Sequence, residues 1–348
     1  MLKKVIKNIM KIGIAAIVAL VILSVINYAY GYTGIHIDNE TGATDYVWEA
    51  NQLKTNLSEG FSWLQMDENG FNNTKENLER VKSQGIDILL MGSSHMEALQ
   101  VNKDENTGYL LNRSLSDKTT YNIGVSGHDI YRVVDNVANA VNVYEPREYL
   151  LMETATVVLD EHEMEQVIEG TAKKIPSYDS GVIYYLQKIP AIKWLYKNVQ
   201  DWISQSENMM KKEETAVATE PGSVDAIDTH SYDEALDLFL NIIAEACKNQ
   251  TCTPIIFYHP EATILETGDW NCSTDDEYLK VFKETCEQKN IVFVDMTQEF
   301  YDVYDKKELL AHGFINTDVN DAHLNKVGHQ MIADKLVEVI EEIEKGDE

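Results

Sequence analysis

The sequence predicts an α/β protein with a flavodoxin-like three-layer α/β/α sandwich and a five-stranded parallel sheet, preceded by one N-terminal transmembrane helix. Three observations predict this architecture. Five short apolar runs have the length of strands buried on both faces, helical segments separate them, and a long uncharged apolar stretch opens the chain. Strands that alternate with helices are typical of a parallel sheet covered by helices on both faces.

Residues 1–32 are predicted to anchor the chain in a membrane. Four lysines within the first eleven residues precede an uncharged, mostly apolar stretch from Ile12 to about Tyr32. About 20 helical residues cross a hydrocarbon layer of about 30 Å, and flanking lysines stay on the cytoplasmic side. A cleaved signal peptide is the alternative, although "INYAYGYTG" lacks a small-residue cleavage pattern. Both interpretations place the rest of the chain outside the cytoplasm.

Residues 33–74 are polar with scattered aromatic residues and no periodicity, so they are predicted to form a stalk that packs loosely on the domain. The domain itself is predicted over 75–348, with a helical insertion at about 157–230. The apolar runs predict strands at 86–91, 119–125, 147–155, 253–260 and 291–296. Amphipathic segments predict helices at 74–85, 129–144, 276–290 and about 326–345.

The formal net charge is −29, and because the anchor is basic the exported part is more acidic still. Such a charge repels phosphate backbones and anionic head groups, so no nucleic-acid partner is expected.

Four cysteines, Cys247, Cys252, Cys272 and Cys286, fall within one segment. In an oxidising compartment an even number of clustered cysteines predicts one or two disulfides, and three pairings remain open. Their spacing lacks the C-x2-C pair of a zinc knuckle, so no zinc is expected there.

Candidate catalytic residues lie where two predicted strands end. Ser93 and Ser94 directly follow the first strand, in "IDILLMGSSHMEA", and a hydroxyl on such a turn lies close to a helix N-terminus. A capping role for either serine is the alternative. His323, with acidic neighbours, lies after the fifth strand, at the same edge of the sheet. A serine, a histidine and an acid are what a serine nucleophile requires.

Over residues 86–335 these segments resemble the SGNH, or GDSL-like, hydrolase and acyltransferase superfamily. "ILLMGSSHMEA" is similar to the first block of the family, which implies Ser94 as nucleophile, with Ser93 where aspartate is usual. "YNIGVSGHDI" is similar to the second block, which implies that the N–H groups of Ser94 and Gly127 form an oxyanion hole. The SGNH hydrolase fold is implied as well.

"DAHLNKVGHQMIA" is similar to the fifth block, which implies His323 as general base, with Asn325 and Gly328 continuing the "H-x-N-x-x-G" pattern. The family places an aspartate three residues before this histidine, but Asn320 stands there. Asp321 is the preferred residue to orient His323, and Asp318 or Asn320 is the alternative, unless the enzyme works as a serine–histidine dyad.

The third block departs from the family pattern in "PREYLLMETATVVLD". Val157 falls where the family has the asparagine that completes the oxyanion hole. Either Thr154 or Thr156 supplies a hydroxyl instead, or the third donor is missing.

Three further histidines, His95, His128 and His259, are predicted to contact the substrate, with simple packing as the alternative. A zinc site built from them and His323 has no spacing signature, so no metal and no cofactor are expected. His329 on the last helix is predicted to be structural.

The resemblance implies serine-dependent acyl-ester chemistry, by an O-acetylesterase or O-acyltransferase acting on a cell-surface carbohydrate polymer. The expected partners are a surface glycan or another acylated small substrate, the lipid bilayer through the N-terminal helix, and a multispanning membrane acyltransferase. The expected location is the cell membrane, with the domain extracellular. The alternative is a catalytically inactive accessory protein that keeps the fold to bind a glycan or such an acyltransferase.

Overall fold

The computed structural model of the chain describes residues 2–30, 34–57, 59–171, 182, 185–186, 188–196, 199, 229–264, 267, 270–272, 276–320 and 322–347. The first helix, α1, runs over Leu2–Tyr30. Within Lys3–Ala29 a window of 18 residues has a mean hydropathy of 2.7, and the segment is long and apolar enough to cross a membrane. The predicted membrane helix is therefore present as a helix of sufficient length and composition.

Two β-hairpins occupy the segment that the sequence predicts as a stalk. Their antiparallel strands are β1 (His36–Asp38) with β2 (Tyr46–Trp48), and β3 (Leu53–Asn56) with β4 (Ser62–Gln65). Tyr46 and Phe71 are buried and belong to the main core of the domain, while Leu64 is buried in a smaller cluster. The prediction of loose packing is therefore wrong. Apolar and aromatic residues of this segment are buried, so the segment packs firmly against the domain.

The central sheet has five parallel strands in the order β11-β8-β7-β5-β6. These strands are β5 (Ile88–Met91), β6 (Thr120–Asn122), β7 (Tyr149–Thr154), β8 (Thr253–Tyr258) and β11 (Val292–Asp295); β9 (Ala262–Ile264) and β10 (Trp270–Cys272) form a separate hairpin. The chain passes from β5 to its neighbour β6 on one side, then crosses to β7 on the other and continues outward. This is the flavodoxin-like order, so the predicted fold class is confirmed.

Further helices in the described part of the chain are α2 (Lys75–Gln84), α3 (Ser94–Glu97), α4 (Thr107–Ser114), α5 (Ile130–Tyr144), α6 (Glu161–Glu169), α7 (Thr229–Gln250), α8 (Asp276–Gln288), α9 (Thr297–Lys307) and α10 (Lys326–Asp347). Alternate strand residues face opposite layers: Leu89 packs with α5 and α7, whereas Leu90 packs with α4 and α10. Both leucines are fully buried, and each such side chain contributes about 1.5–3 kcal/mol through burial. The strands read as continuous apolar runs because helices cover both faces.

All four cysteines lie among the described residues, and all are buried free thiols. The prediction of one or two disulfides is therefore wrong. Cys247 and Cys286 belong to the core on the α7 and α8 side of the sheet, where a thiol packs as a small apolar group. Burial raises the pKa of Cys286 to about 12.

Of the insertion predicted at about 157–230, α6 is described, whereas 172–181 and 200–228 lie outside the described residues.

Candidate active site

The carboxyl edge of the sheet brings together the loops that the sequence singles out. Ser94 follows β5 as the first residue of α3, Gly127 follows β6, and His323 precedes α10. All three line one cleft of about 320 Å³. An open parallel sheet binds its ligands at this edge, beside the strand at which the chain reverses direction.

The Ser94 hydroxyl and the His323 imidazole form a hydrogen-bonded pair. Ser94 Oγ lies 3.0 Å from His323 Nε2. Asn325 holds the histidine loop, since its amide donates to the carbonyl oxygens of Leu310 and Gly313 at 2.9 and 3.0 Å. The recurring asparagine of the "H-x-N-x-x-G" pattern thus fixes the backbone that carries the histidine.

A carboxylate outside the resembling region approaches the other side of the ring. Glu59 Oε2 lies 2.9 Å from His323 Nδ1 and also accepts from the Gln100 amide at 3.1 Å. When Nδ1–H donates to Glu59, Nε2 is free to accept the proton of the Ser94 hydroxyl. Glu59, His323 and Ser94 therefore have the geometry of an acid, a base and a nucleophile.

The acids that the sequence singles out are placed differently. Asp321 lies outside the described residues. Asn320 bonds the backbone of Ile264, accepting from its N–H at 2.8 Å and donating to its carbonyl at 3.1 Å. Asp318 accepts from the Asn320 N–H at 2.9 Å. These contacts give Asp318 and Asn320 a role in holding the loop, which corrects the expectation that either one orients His323.

The turn that carries Glu59 is docked on the histidine loop. The Gly60 N–H donates to Thr317 Oγ1 at 3.0 Å, and the Asn316 amide donates to the Gly60 carbonyl at 3.1 Å. Gly60 has a φ of +67°, and a Cβ there would lie 2.7 Å from the Phe314 ring. A glycine is therefore required at this turn, and the turn fixes Glu59 against the histidine.

The loop that carries Gly127 is braced by a buried carboxylate. Glu97 accepts from the Ser126 N–H at 3.1 Å, from the Ser126 hydroxyl, and from Trp48 Nε1 at 2.5 Å. The Tyr46 hydroxyl donates to the Ser126 carbonyl. Gly127 itself has a φ of +84°, a conformation that favours glycine. The first hairpin thus holds in place the backbone that is expected to donate to an oxyanion.

Neither threonine proposed as a third donor faces the cleft. The Thr154 hydroxyl donates to the Thr156 carbonyl at 2.5 Å, and Thr156 Oγ1 accepts from the Val158 N–H at 3.1 Å. Neither residue is among the described residues that line the cleft. Their hydroxyls hold the chain just after β7, so the expectation of a threonine donor is not met.

The three histidines predicted to contact substrate are all buried: His95 is 8% exposed, His128 5% and His259 0%. None of them is among the described residues of the cleft wall. His128 packs edge-on against Tyr46, and burial lowers its pKa to about 4. The predicted substrate contact is therefore corrected to packing for His128, whereas His95 and His259 form part of a deeper cluster.

His329, predicted to be structural, is fully buried and bonds Thr107 Oγ1 through Nδ1 at 2.9 Å.

The two N-terminal hairpins contribute part of the cleft wall. Trp48, Lys54, Thr55 and Asn56 contribute to it. Lys54 is buried against the Trp48 ring, and this burial holds its pKa well below the usual range. The Trp48 ring is itself only 7% exposed, since His36 and Lys54 pack against it.

Gly124 precedes the oxyanion loop at a point where no side chain fits. A Cβ there would lie 2.5 Å from the Glu97 backbone nitrogen. We expect Gly124→Ala to lower the free energy of unfolding by about 1–3 kcal/mol, because the helix that begins at Ser94 must shift. Thermal unfolding of the full chain in detergent measures this. Gly346→Ala is the matched control, since nothing lies within 4 Å of that position. Equal melting temperatures for the two variants would contradict the close approach.

No family model and no curated protein matches the chain. The chain is similar to the solved structure of a lipolytic protein of the G-D-S-L family from Veillonella parvula, with 13% identity and a TM-score of 0.40; the match covers 73% of this chain and 98% of that one. An acetyl xylan esterase gives 14% identity and a TM-score of 0.39, with coverage of 73% and 98%. A GDSL-like lipase from Bacteroides thetaiotaomicron gives 12% and 0.37, with coverage of 77% and 95%.

Proposed function

We propose that the chain is a serine-dependent acyl-ester enzyme of the SGNH type, with Ser94 as nucleophile, His323 as general base and Glu59 as the acid that orients the base. One observation carries this proposal. Ser94 Oγ, the His323 ring and the Glu59 carboxylate follow one another at 3.0 and 2.9 Å on the wall of an open cleft. This arrangement is the one by which a histidine activates a serine hydroxyl.

In the proposed reaction, Ser94 Oγ attacks the acyl carbonyl carbon while His323 Nε2 takes the hydroxyl proton. The N–H groups of Ser94 and Gly127 stabilise the resulting oxyanion, and Glu59 stabilises the imidazolium. The tetrahedral intermediate then expels the alcohol, which takes the proton from His323. The acyl-Ser94 ester is finally attacked by water or by an acceptor alcohol, with His323 again acting as base.

We further propose that the substrate is an O-acylated carbohydrate polymer at the cell surface. Polar side chains in the cleft lining, such as those of Asn56 and Ser126, support a substrate that carries hydroxyl groups, as a sugar does. Helix α1 supports attachment to a membrane, and its lysines favour a cytoplasmic N-terminus with an extracellular domain. A glycan acyltransferase partner would supply the acyl donor if Ser94 transfers its acyl group to an alcohol.

Fluorophosphonate labelling tests the enzyme proposal. The full chain in detergent is treated with the probe, and intact mass is measured beside a Ser94→Ala variant. We expect a single adduct on the wild-type chain and none on the variant, because only an activated serine reacts with this phosphoryl electrophile. A folded wild-type chain that takes up no adduct, or an adduct that survives in Ser94→Ala, would contradict the proposal.

A second candidate function is a non-catalytic accessory protein that binds a glycan or a multispanning membrane acyltransferase. One observation favours it: the Thr154 and Thr156 hydroxyls are bonded within their own loop, so neither threonine is placed as the third oxyanion donor. Loss of one such donor costs about 3–4 kcal/mol in a protease. The two functions differ in a cellular test, since Ser94→Ala abolishes the function of an enzyme and leaves an accessory protein working.

A further inference from the structure

Three chemically reactive side chains converge beneath the nucleophile, outside the cleft. His95 follows β5, Glu153 lies in β7 and His259 follows β8, and these three strands are neighbours in the sheet. One ligand atom from each residue lies within 4.8 Å of the others. Parallel strands end at one edge, so the sheet itself brings the three residues together although they are far apart in sequence.

The cluster is buried and incompletely hydrogen-bonded. Glu153 is 3% exposed, and its two oxygens contact His259 Nε2 at 3.0 Å and the Ser93 N–H at 2.8 Å. Within the described part of the chain, the Nδ1 atoms of His95 and His259 have no hydrogen-bond partner, and neither ring nitrogen of the adjacent His312 has one. A buried polar atom without a partner destabilises the folded chain. Unpaired imidazole nitrogens beside a buried carboxylate indicate a ligand that the cluster would share. His259 would bind this ligand through Nε2, so its own Nδ1 is not one of the atoms that the ligand satisfies.

The residue types in the cluster indicate which ligand it would bind. Imidazole nitrogens with one carboxylate are ligands that Zn²⁺ accepts, whereas Mg²⁺ and Ca²⁺ prefer sites made of oxygens alone. Two ligands of one tetrahedral zinc ion lie about 3.3–3.4 Å apart, given bonds of about 2.0–2.1 Å. Glu153 Oε1 and His259 Nε2 are 3.0 Å apart, so they would separate by a few tenths of an ångström to share an ion. The ring of His312 packs beside the cluster, with its centroid 5.6 Å from that of His259.

We propose that His95, Glu153 and His259 bind one Zn²⁺ ion beneath the Ser93–Ser94 turn. The ion would tie together the ends of β5, β7 and β8. Because the second oxygen of Glu153 holds the Ser93 N–H, the same ion would also fix the backbone of the nucleophile turn. Its role is to position the turn, while the acyl chemistry stays with Ser94 and His323.

Metal binding is tested on the full chain in detergent, stripped with a chelator, dialysed and titrated with ZnCl₂ by calorimetry. We expect one ion per chain and a higher melting temperature with zinc. Glu153→Gln and His259→Asn should each weaken the affinity by more than about 100-fold, since even an outer-shell partner is worth 10- to 100-fold. In both variants the zinc-dependent rise in melting temperature should disappear.

His162→Asn is the control for adventitious binding, because exposed His162 lies 3.8 Å from Glu165 and is an obvious surface site for zinc. This variant should bind as the wild-type chain does. A wild-type chain that binds no zinc saturably would overturn the proposal, whether or not the variants fold. Binding that persists unchanged in both Glu153→Gln and His259→Asn, or that disappears in His162→Asn, would overturn it too. None of these measurements depends on the esterase activity.

Discussion

His323→Ala is expected to lower kcat for hydrolysis of an activated acetyl ester by about 10⁵- to 10⁶-fold. This is the loss found when the base of a serine protease triad is removed. The reason is geometric. His323 Nε2 lies 3.0 Å from Ser94 Oγ, so it is placed to take the hydroxyl proton. Without it Ser94 attacks as a neutral alcohol, which is a poor nucleophile at neutral pH.

The measurement is the initial rate of aryl acetate hydrolysis by the full chain, compared for His323→Ala, Ser94→Ala and the double variant. Residues that act as one unit are strongly non-additive, so the double variant should lose no more activity than either single variant. His162→Ala is the control, since that histidine is exposed on α6, away from the cleft. If His323→Ala keeps a tenth of the wild-type rate, or if the two losses multiply, His323 is not the base.

The fold could be predicted from the sequence because its strands carry a strong local signal. The run "ILLM" of β5 is apolar at every position, since α5 and α7 cover one face of the strand and α4 and α10 the other. The N-terminal hairpins give no such signal. Their strands are three or four residues long, and Tyr46 and Leu64 are buried only by surfaces that distant segments supply. A pattern that depends on tertiary contacts cannot be read from a short window.

The same distinction separates the site residues that the sequence predicts from those that it misses. Ser94, Gly127 and His323 lie in loops after apolar runs, where a strand-and-loop pattern can identify candidates. Glu59 lies on a hairpin turn in a polar segment, and its approach to His323 depends on how that hairpin docks. Glu153 is the fifth of the six residues of β7 and reads as part of a strand. Its buried carboxylate could have been noticed only as an acidic residue inside an apolar run.

Glutamine at position 59 is expected to lower kcat by about 10²- to 10⁴-fold while the chain stays folded, the upper limit being the loss seen when a triad aspartate becomes asparagine. A carboxylate at 2.9 Å keeps the proton of His323 on Nδ1, so that Nε2 faces Ser94 as an acceptor. A neutral amide leaves the ring free to carry its proton on Nε2, and it does not stabilise the imidazolium that forms during the attack.

Three further substitutions decide which acid orients the base. Asp321→Asn and Asp318→Asn test the carboxylates that the family resemblance favours, and Glu59→Asp shortens the proposed acid by one methylene while keeping its charge. We expect the aspartate variants to lose less than about tenfold in kcat, and Glu59→Asp to recover part of what Glu59→Gln loses, because the charge beside the ring is the essential feature. A large loss for Asp321→Asn beside a nearly normal Glu59→Gln would assign the acid to the histidine loop. The turn at Gly60 would then be a structural clamp on that loop, since its contacts with Asn316 and Thr317 do not depend on the carboxylate.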